Sequence, residues 1–266
     1  MPENSPDSES VSFLFSQGYP PLKFRLEGHS KTLDQQELIE AISEDFGFDA
    51  EEDRASAALL EQLLLENKSI VPYSRTLGRL HSLIQDRTVL VAGSGASLDK
   101  QLKELLGPDN TFPPRTQVTI MAADGAVEGV ISAGAVPDII VSDLDGPLEL
   151  ITEALGQGAI LIALAHGDNK EVLARFVPKL SGQVLGSTQR EASPPLFNFG
   201  GFTDGDRGVL VAKAFEARKI VLMGFDFDEP GPYSRHADEG RKRKKLEWCQ
   251  QIVGNVEGVV DFREWK

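Results

Sequence analysis

Between Thr88 and Asp226 the chain alternates two textures. Five runs are apolar and rich in β-branched residues: TVLVAG (88–93), QVTIMAAD (117–124), PDIIVSD (137–143), GAILIALA (158–165) and KIVLMGFD (219–226). None alternates apolar with polar positions as a half-wet strand would, so each reads as a strand buried on both faces of a parallel sheet. Helix-compatible segments lie between them, near 97–106, 125–134, 147–156, 168–176 and 205–217. That alternation predicts right-handed crossovers and a doubly wound, mostly parallel α/β sheet of Rossmann-like type. Upstream, TLDQQELIEAISEDF places Leu33, Leu38, Ile39 and Ile42 near helical spacing, and SAALLEQLLLEN repeats the signal. Phe46-Gly47-Phe48 separates the two. The expected organisation is a small helical module over 1–75 and an α/β unit over 76–266.

Charge sharpens that division. The net charge is −14, and residues 1–75 carry 15 acidic against 6 basic side chains. So acidic a surface argues against general nucleic-acid binding, which needs a basic footprint. No apolar run approaches the ~18–20 residues of a membrane span, and MPENSPDSES has neither the basic nor the apolar region of a signal peptide. The single cysteine, Cys249, excludes an internal disulfide and fits a reducing cytoplasm. A cytoplasmic protein acting on small molecules is expected. The acidic module would serve as a dimerisation element or a lid.

Chemistry gathers where the strands end, which is where ligands bind in open α/β sheets. The five runs lead into GSGASL (93–98), ADGA (123–126), SDLDG (142–146), HGDNK (166–170) and GFDFD (224–228). Gly93, Ser94, Gly95 and Ser97 form a turn whose amides can approach an anion, or simply a tight strand-to-helix turn. It is not a Walker A loop, because no Gly-Lys-Ser/Thr follows. Asp143 and Asp145, one residue apart, can turn towards one point, and would repel unless a cation lay between them. Hard Mg²⁺ suits such ligands. The alternative for Asp145 is a helix cap. Asp124 and Asp168, at neighbouring strand ends, strengthen the metal reading. Lys170 can hold a phosphate as a point charge, with Asn169 beside it. His166 reads as a strand-end histidine satisfied by its neighbours. FGGFTDGDRG (199–208) brings Asp204 and Arg207 to a helix start, Asp226 ends the last run, and RHADEGRKRKKLEW (235–248) holds six cations. These could form a solvated helix face or meet a polyphosphate. The set suits phosphoryl-type transfer, in which positioning and charge neutralisation dominate.

Taken together, GSGASL, AADGA, PDIIVSDLDG, AHGDN, GGFTDGDRG, GFDF and KRKKLEW resemble the archaeal 6-hydroxymethyl-7,8-dihydropterin diphosphokinase family, the MptE-like proteins. The motifs keep the family's order, and the resemblance covers roughly 70–266. It is more distant from thiamine diphosphokinase, whose fold is related and which has Gly-Gly-Arg where this chain reads Gly-Gly-Phe at 200–202. Bacterial relatives that share the glycine and aspartate motifs occur in longer proteins linked to surface-glycan or flagellar functions.

The resemblance implies ATP-dependent diphosphate transfer to a pterin alcohol, with release of AMP, on a pathway to folate or methanopterin cofactors. Asp143 and Asp145 would hold the Mg²⁺ that bridges the ATP phosphates. Asp124 and Asp168 would support that metal or orient the pterin or its hydroxyl. Gly93–Ser97 would contact nucleotide, with Asn169, Asp204 and Asp226 alongside. Lys170 and Arg207 would neutralise charge on the transferred group and on AMP. Phe202 and Phe225 are the aromatic candidates for stacking on the pterin. Three readings compete with it: a thiamine diphosphokinase, an S-adenosylmethionine-dependent methyltransferase using Gly93–Gly95 and Asp124, and a nucleotide-binding protein without turnover.

Overall fold

The computed structural model describes residues 22–27, 31–108, 111–229, 231–233 and 238–265. Its centre is one sheet of eight parallel strands: β1 (Thr88–Ala92), β2 (Val118–Ala123), β3 (Ile139–Ser142), β4 (Ile160–Ala165), β5 (Gln183–Thr188), β6 (Leu196–Phe197), β7 (Lys219–Met223) and β8 (Val259–Asp261). They lie in the order β6-β5-β4-β3-β2-β1-β7-β8, and every neighbouring pair is parallel. The five expected strands are β1–β4 and β7. Three more flank them, and their sequences explain why periodicity passes over them. QVLGST is half polar, Leu196–Phe197 is two residues long, and β8 is only partly buried.

Successive strand residues face opposite sides of the sheet. Val89 and Val91 enter one core layer, Leu90 and Ala92 the other. The side that receives Leu90 and Ala92 is covered by the crossovers α4 (Leu98–Leu106), α5 (Ala126–Ser132), α6 (Leu148–Gly156) and α7 (Lys170–Phe176). The opposite side is covered by α8 (Asp204–Ala214) and α9 (Glu239–Gly254).

The N-terminal helices join both layers. α1 (Gln35–Phe46) starts on a capping box, in which Asp34 accepts from the Glu37 amide and Glu37 accepts from the Asp34 amide, both at 3.0 Å. It stops at Gly47, whose φ of +70° suits a left-handed helix end. Leu38 and Ile42 of α1, with Leu77 and Leu80 of α3 (Tyr73–Ile84), lie in the α8–α9 layer. Leu60 and Leu64 of α2 (Ala50–Glu66) pack in the other layer. The break in charge near residue 75 therefore falls inside α3, in a helix whose apolar face is core. Among the described residues no helix is long and apolar enough to cross a membrane.

If α2 is part of the sheet's own core, Leu60→Ala, at a fully buried position, will destabilise the whole α/β unit by about 2–5 kcal/mol. A shift in the denaturation midpoint of tryptophan fluorescence reads this directly, because Trp248 and Trp265 both lie in the α/β unit.

Candidate active site

The sheet changes direction at β1. From there the chain steps outward through β2 to β6, then returns through α8 on the other face to β7, which pairs with β1 on its free side. The carboxyl ends of β1 and β7 thus form a switch-point crevice, and a cleft of about 270 Å³ opens there. Two glycine turns make its floor. The Gly93 amide donates to Met223 O at 2.7 Å and the Gly95 amide to Gly224 O at 2.8 Å. A Cβ on Gly95 would stand 2.5 Å from Gly224 O, and one on Gly224, whose φ is +63°, 2.5 Å from Gly93 O. No side chain larger than hydrogen fits at either place. The Gly224 amide is held in turn by the buried Gln101 Oε1, 2.8 Å away. Asp226 Oδ2 accepts from the Ser97 amide at 2.7 Å. Gly93, Ser94, Gly95 and Asp226 line the cleft, whereas Ser97 stands behind it.

Beyond the turns stand the acids. Asp124 follows β2, and Asp143 and Asp145 follow β3; carboxylate oxygens of all three lie within 4.8 Å of one another. Leu144 between the last two adopts φ +68°, an unusual conformation for a leucine, costing on the order of 1 kcal/mol. It is compensated locally: the side chain is buried, and the amide donates to Ser142 Oγ at 2.8 Å. The Ser142 hydroxyl donates to Asp124 Oδ1. Gly146 is obligatory, since a Cβ there would lie 1.7 Å from Asp124 Oδ2.

Burial, reinforced by Asp143, pushes the Asp124 carboxyl well above the usual carboxylate range. Burial and Asp143 raise Asp145 as well. Asp143 goes the other way: burial opposes ionisation, but His166 outweighs it and holds the carboxyl low. The imidazole bridges two acids, with Nε2 at 3.2 Å from Asp143 Oδ2 and Nδ1 at 2.7 Å from Asp168 Oδ1. Burial alone would lower its pKa; the two carboxylates instead push it up to about 9. At neutral pH it is an imidazolium donating at both ends. Asp204, at the start of α8, is a further acid on the cleft wall, raised by burial and then by Asp143, Asp124 and Asp145. Three oxygen donors converging with partly unfavourable ionisation are the ligand chemistry of a hard divalent cation such as Mg²⁺.

The cationic wall comes from α9. Lys242 and Lys245 line the cleft, and burial depresses the Lys242 ammonium. The helix is fastened to α1 through Asp45, which pairs with Lys244 at 2.7 Å and accepts from Trp248 Nε1 at 2.8 Å. Arg241 lies over Phe46 and Phe48, at 5.2 and 5.3 Å from the ring centres.

Other expected residues take different places. Arg207 is fully buried and donates from Nη1 to Gly200 O at 2.6 Å and from Nη2 to Gly201 O at 3.1 Å. It fixes the glycine loop from inside the fold instead of facing a phosphate. Asn169 is buried too; its Nδ2 donates to Leu164 O and Asp143 O, at 2.7 and 2.9 Å, so it shapes the loop. Lys170 opens α7 and is not among the residues lining the cleft; Asp168 reaches it through His166. Phe202 and Phe225 both line the cleft.

Sequence reasoning passed over Asp53. From α2 this buried carboxylate accepts from the Gly167 amide at 2.9 Å and from Arg190 Nε at 2.8 Å. Only a lone acid on the core side of an amphipathic helix marked it.

The carboxylate cluster predicts a trade between stability and function. A carboxyl whose folded pKa is raised favours the fold below its unfolded value, near 3.9, and that contribution is lost as pH rises through the folded value. Where Asp124 and Asp145 ionise they therefore oppose folding, whereas Asp143, whose carboxyl is held low, favours it. Asp124→Asn should raise Tm by about 2–4 °C in chelator; Mg²⁺ is expected to raise the Tm of the native chain and not that of the variant. Thermal scans with and without Mg²⁺ at pH 7 check both.

Residues 62–231 match the family described as 6-hydroxymethylpterin diphosphokinase MptE-like. Three archaeal relatives bear the name 6-hydroxymethyl-7,8-dihydropterin pyrophosphokinase. That of Methanocaldococcus jannaschii is 42% identical over 83% of this chain and 93% of its own. Those of Methanothermobacter thermautotrophicus and Pyrococcus furiosus are 37% and 38% identical, over 84% and 81% of this chain and 95% and 90% of theirs. Among solved structures the fold is similar to part of a MAf glycosyltransferase from Magnetospirillum magneticum AMB-1. That match has a TM-score of 0.50 and 17% identity, covers 78% of this chain and 35% of the other, and is a likeness of fold alone. With the family match and these relatives spanning most of its length, the chain belongs to the 6-hydroxymethylpterin diphosphokinase MptE-like family.

Proposed function

We propose that the chain transfers diphosphate from ATP to the hydroxymethyl oxygen of 6-hydroxymethyl-7,8-dihydropterin and releases AMP. The observation that carries the reading is the convergence of Asp124, Asp143 and Asp145 at adjacent strand ends, between a glycine floor and two lysines. The names and lengths of the archaeal relatives support it.

In the reaction, the alcohol oxygen bonds to the β-phosphorus of ATP while the bond from that phosphorus to the α,β-bridging oxygen breaks. AMP leaves with the bridging oxygen, and the hydroxyl proton is released. Such transfers pass through a loose transition state, so the protein's task is alignment and charge neutralisation. Gly93, Ser94 and Gly95 admit phosphate oxygens close to the backbone. Lys242 and Lys245 face the charge that builds on the transferred group and on AMP. Asp143, kept ionised by His166, and Asp145 would hold Mg²⁺, with Asp124 in support. When bound, that ion would neutralise the phosphates and hold them in line. His166, fixed between Asp143 and Asp168, positions the first of these acids.

The test is one incubation with ATP, Mg²⁺ and the pterin alcohol, followed by nucleotide analysis. AMP formed only with the pterin present is expected; ADP, or no nucleotide consumed, overturns the reading. Asp143→Asn should lower kcat by about 10²–10³ in a protein with native circular dichroism. A variant that keeps full turnover would remove Asp143 from the site.

A further inference from the structure

The strand order sets out the cleft as a ruler. Reading along the carboxyl edge in steps of about 4.8 Å, the sequence is Gly224 and Asp226 after β7, Gly93 after β1, Asp124 after β2, Asp143 after β3, His166 after β4 and Gln189 after β5. From β1 to β5 is about 19 Å. Chemistry changes along that line. The β7–β1 end is floored by glycine backbone, with Phe225 and Asp226 beside it. The middle is acidic.

The β4–β5 end is different again. Phe48 and Phe202 form its apolar wall, with ring centres 6.2 Å apart and tilted by 56°. At its edge Asp53 is charge-balanced by Arg190, at 2.8 Å, and Gln189 Nε2 lies 3.5 Å from Asp53 Oδ2. The Arg190 guanidinium is already paired with a buried carboxylate, and Arg241 and Lys245 lie over the Phe48 and Phe202 rings, 5.3 and 5.9 Å from their centres. A flat ring finds partners here. Phe48 and Phe202 supply apolar surface, the Gln189 amide supplies one donor and one acceptor, and Asp53 Oδ1, which among the described residues accepts from the Gly167 amide alone, keeps a lone pair.

We propose that the β4–β5 end of the cleft, walled by Phe48 and Phe202 and edged by Asp53 and Gln189, holds the ring of the acceptor alcohol, a fused heterocycle with adjacent N–H and carbonyl groups. The inference rests on the diphosphotransferase reading for the identity of that alcohol. It follows geometrically from it, because the transferred group must pass between donor and acceptor. With the nucleotide on the glycine turns and the acids in the middle, the acceptor belongs beyond them. Two of its four residues, Phe48 and Asp53, lie before residue 62, outside the stretch that matches the family. The N-terminal helices are then part of the substrate site.

Calorimetric titration of the full chain with 6-hydroxymethyl-7,8-dihydropterin, and separately with Mg²⁺ and α,β-methylene-ATP, tests this without turnover. Phe48→Ala should weaken the pterin about tenfold, as the loss of one aromatic face would, and leave the nucleotide analogue within twofold. Phe48→Leu, which keeps an apolar side chain, should fall between, and guards against an unfolded Ala variant. Gln189→Ala should weaken the pterin and spare the nucleotide. An unchanged pterin affinity in all three variants, or a loss confined to the nucleotide, overturns the subsite. Failure of the reaction itself looks different: wild-type protein would bind the pterin at this end yet form no AMP. Wild-type protein that does not bind the pterin at all would overturn both.

Discussion

Mutual repulsion among buried carboxylates is the constraint around which this molecule is arranged. Asp124, Asp143 and Asp145 come within 4.8 Å, and burial makes their ionisation harder still. Nothing in folding alone asks for this, and the surroundings show the cost being met residue by residue. Ser142 donates to Asp124 while accepting from Leu144. Leu144 takes a left-handed backbone conformation that sets Asp143 and Asp145 on either side of it. Gly146 gives up a side chain so that Asp124 can approach. His166 supplies the cation that keeps Asp143 ionised. A strained, crowded corner supported from several sides marks a place where ligand binding outranks local stability.

The support extends outward in layers. His166 is oriented by Asp168, and its loop is closed by Asn169 and tied to α2 by Asp53. Asp53 is balanced by Arg190, which also reaches Ser43 Oγ of α1 at 3.1 Å. The cationic helix α9 is fastened to α1 through Asp45. The acidic N-terminal helices therefore do more than cover the sheet. Their carboxylates hold both the histidine loop and the lysine helix in register with the acids.

The sheet was legible where strands are long and apolar, as β1–β4 and β7 are, because burial on both faces leaves one kind of side chain. It was illegible at β5, where Gly186, Ser187 and Thr188 replace that pattern; a Cβ on Gly186 would lie 2.1 Å from Leu196 Cδ2. The acids at strand ends were legible for a related reason, since charge interrupts an apolar run visibly. Arg207 shows the limit. In sequence it follows three polar residues at a glycine-rich helix start, the signature of a phosphate contact, yet the same glycines expose carbonyls that its guanidinium satisfies from within. Sequence spacing fixes which residues share an edge, not which way each side chain turns.

The strand order carries information that no single motif holds. Because all eight strands are parallel, every carboxyl end opens on the same side, and the order β7-β1-β2-β3-β4-β5 becomes a spatial order of loops. Glycine turns, carboxylates, histidine and glutamine then follow one another along a line because the chain steps outward by one strand at each crossover. A crossover that skipped a strand would separate Asp124 from Asp143 by about 10 Å and dissolve the cluster. Adjacent stepping from β1 to β5 is therefore the topological condition for the site, and its crossovers place α4–α7 on one face while α8 and α9 take the other. The return through α8 then delivers Asp204 and Phe202 to the cleft from above, and α9 brings the lysines. Topology gathers the acids, and the opposite layer supplies the charge and the aromatic wall that they face.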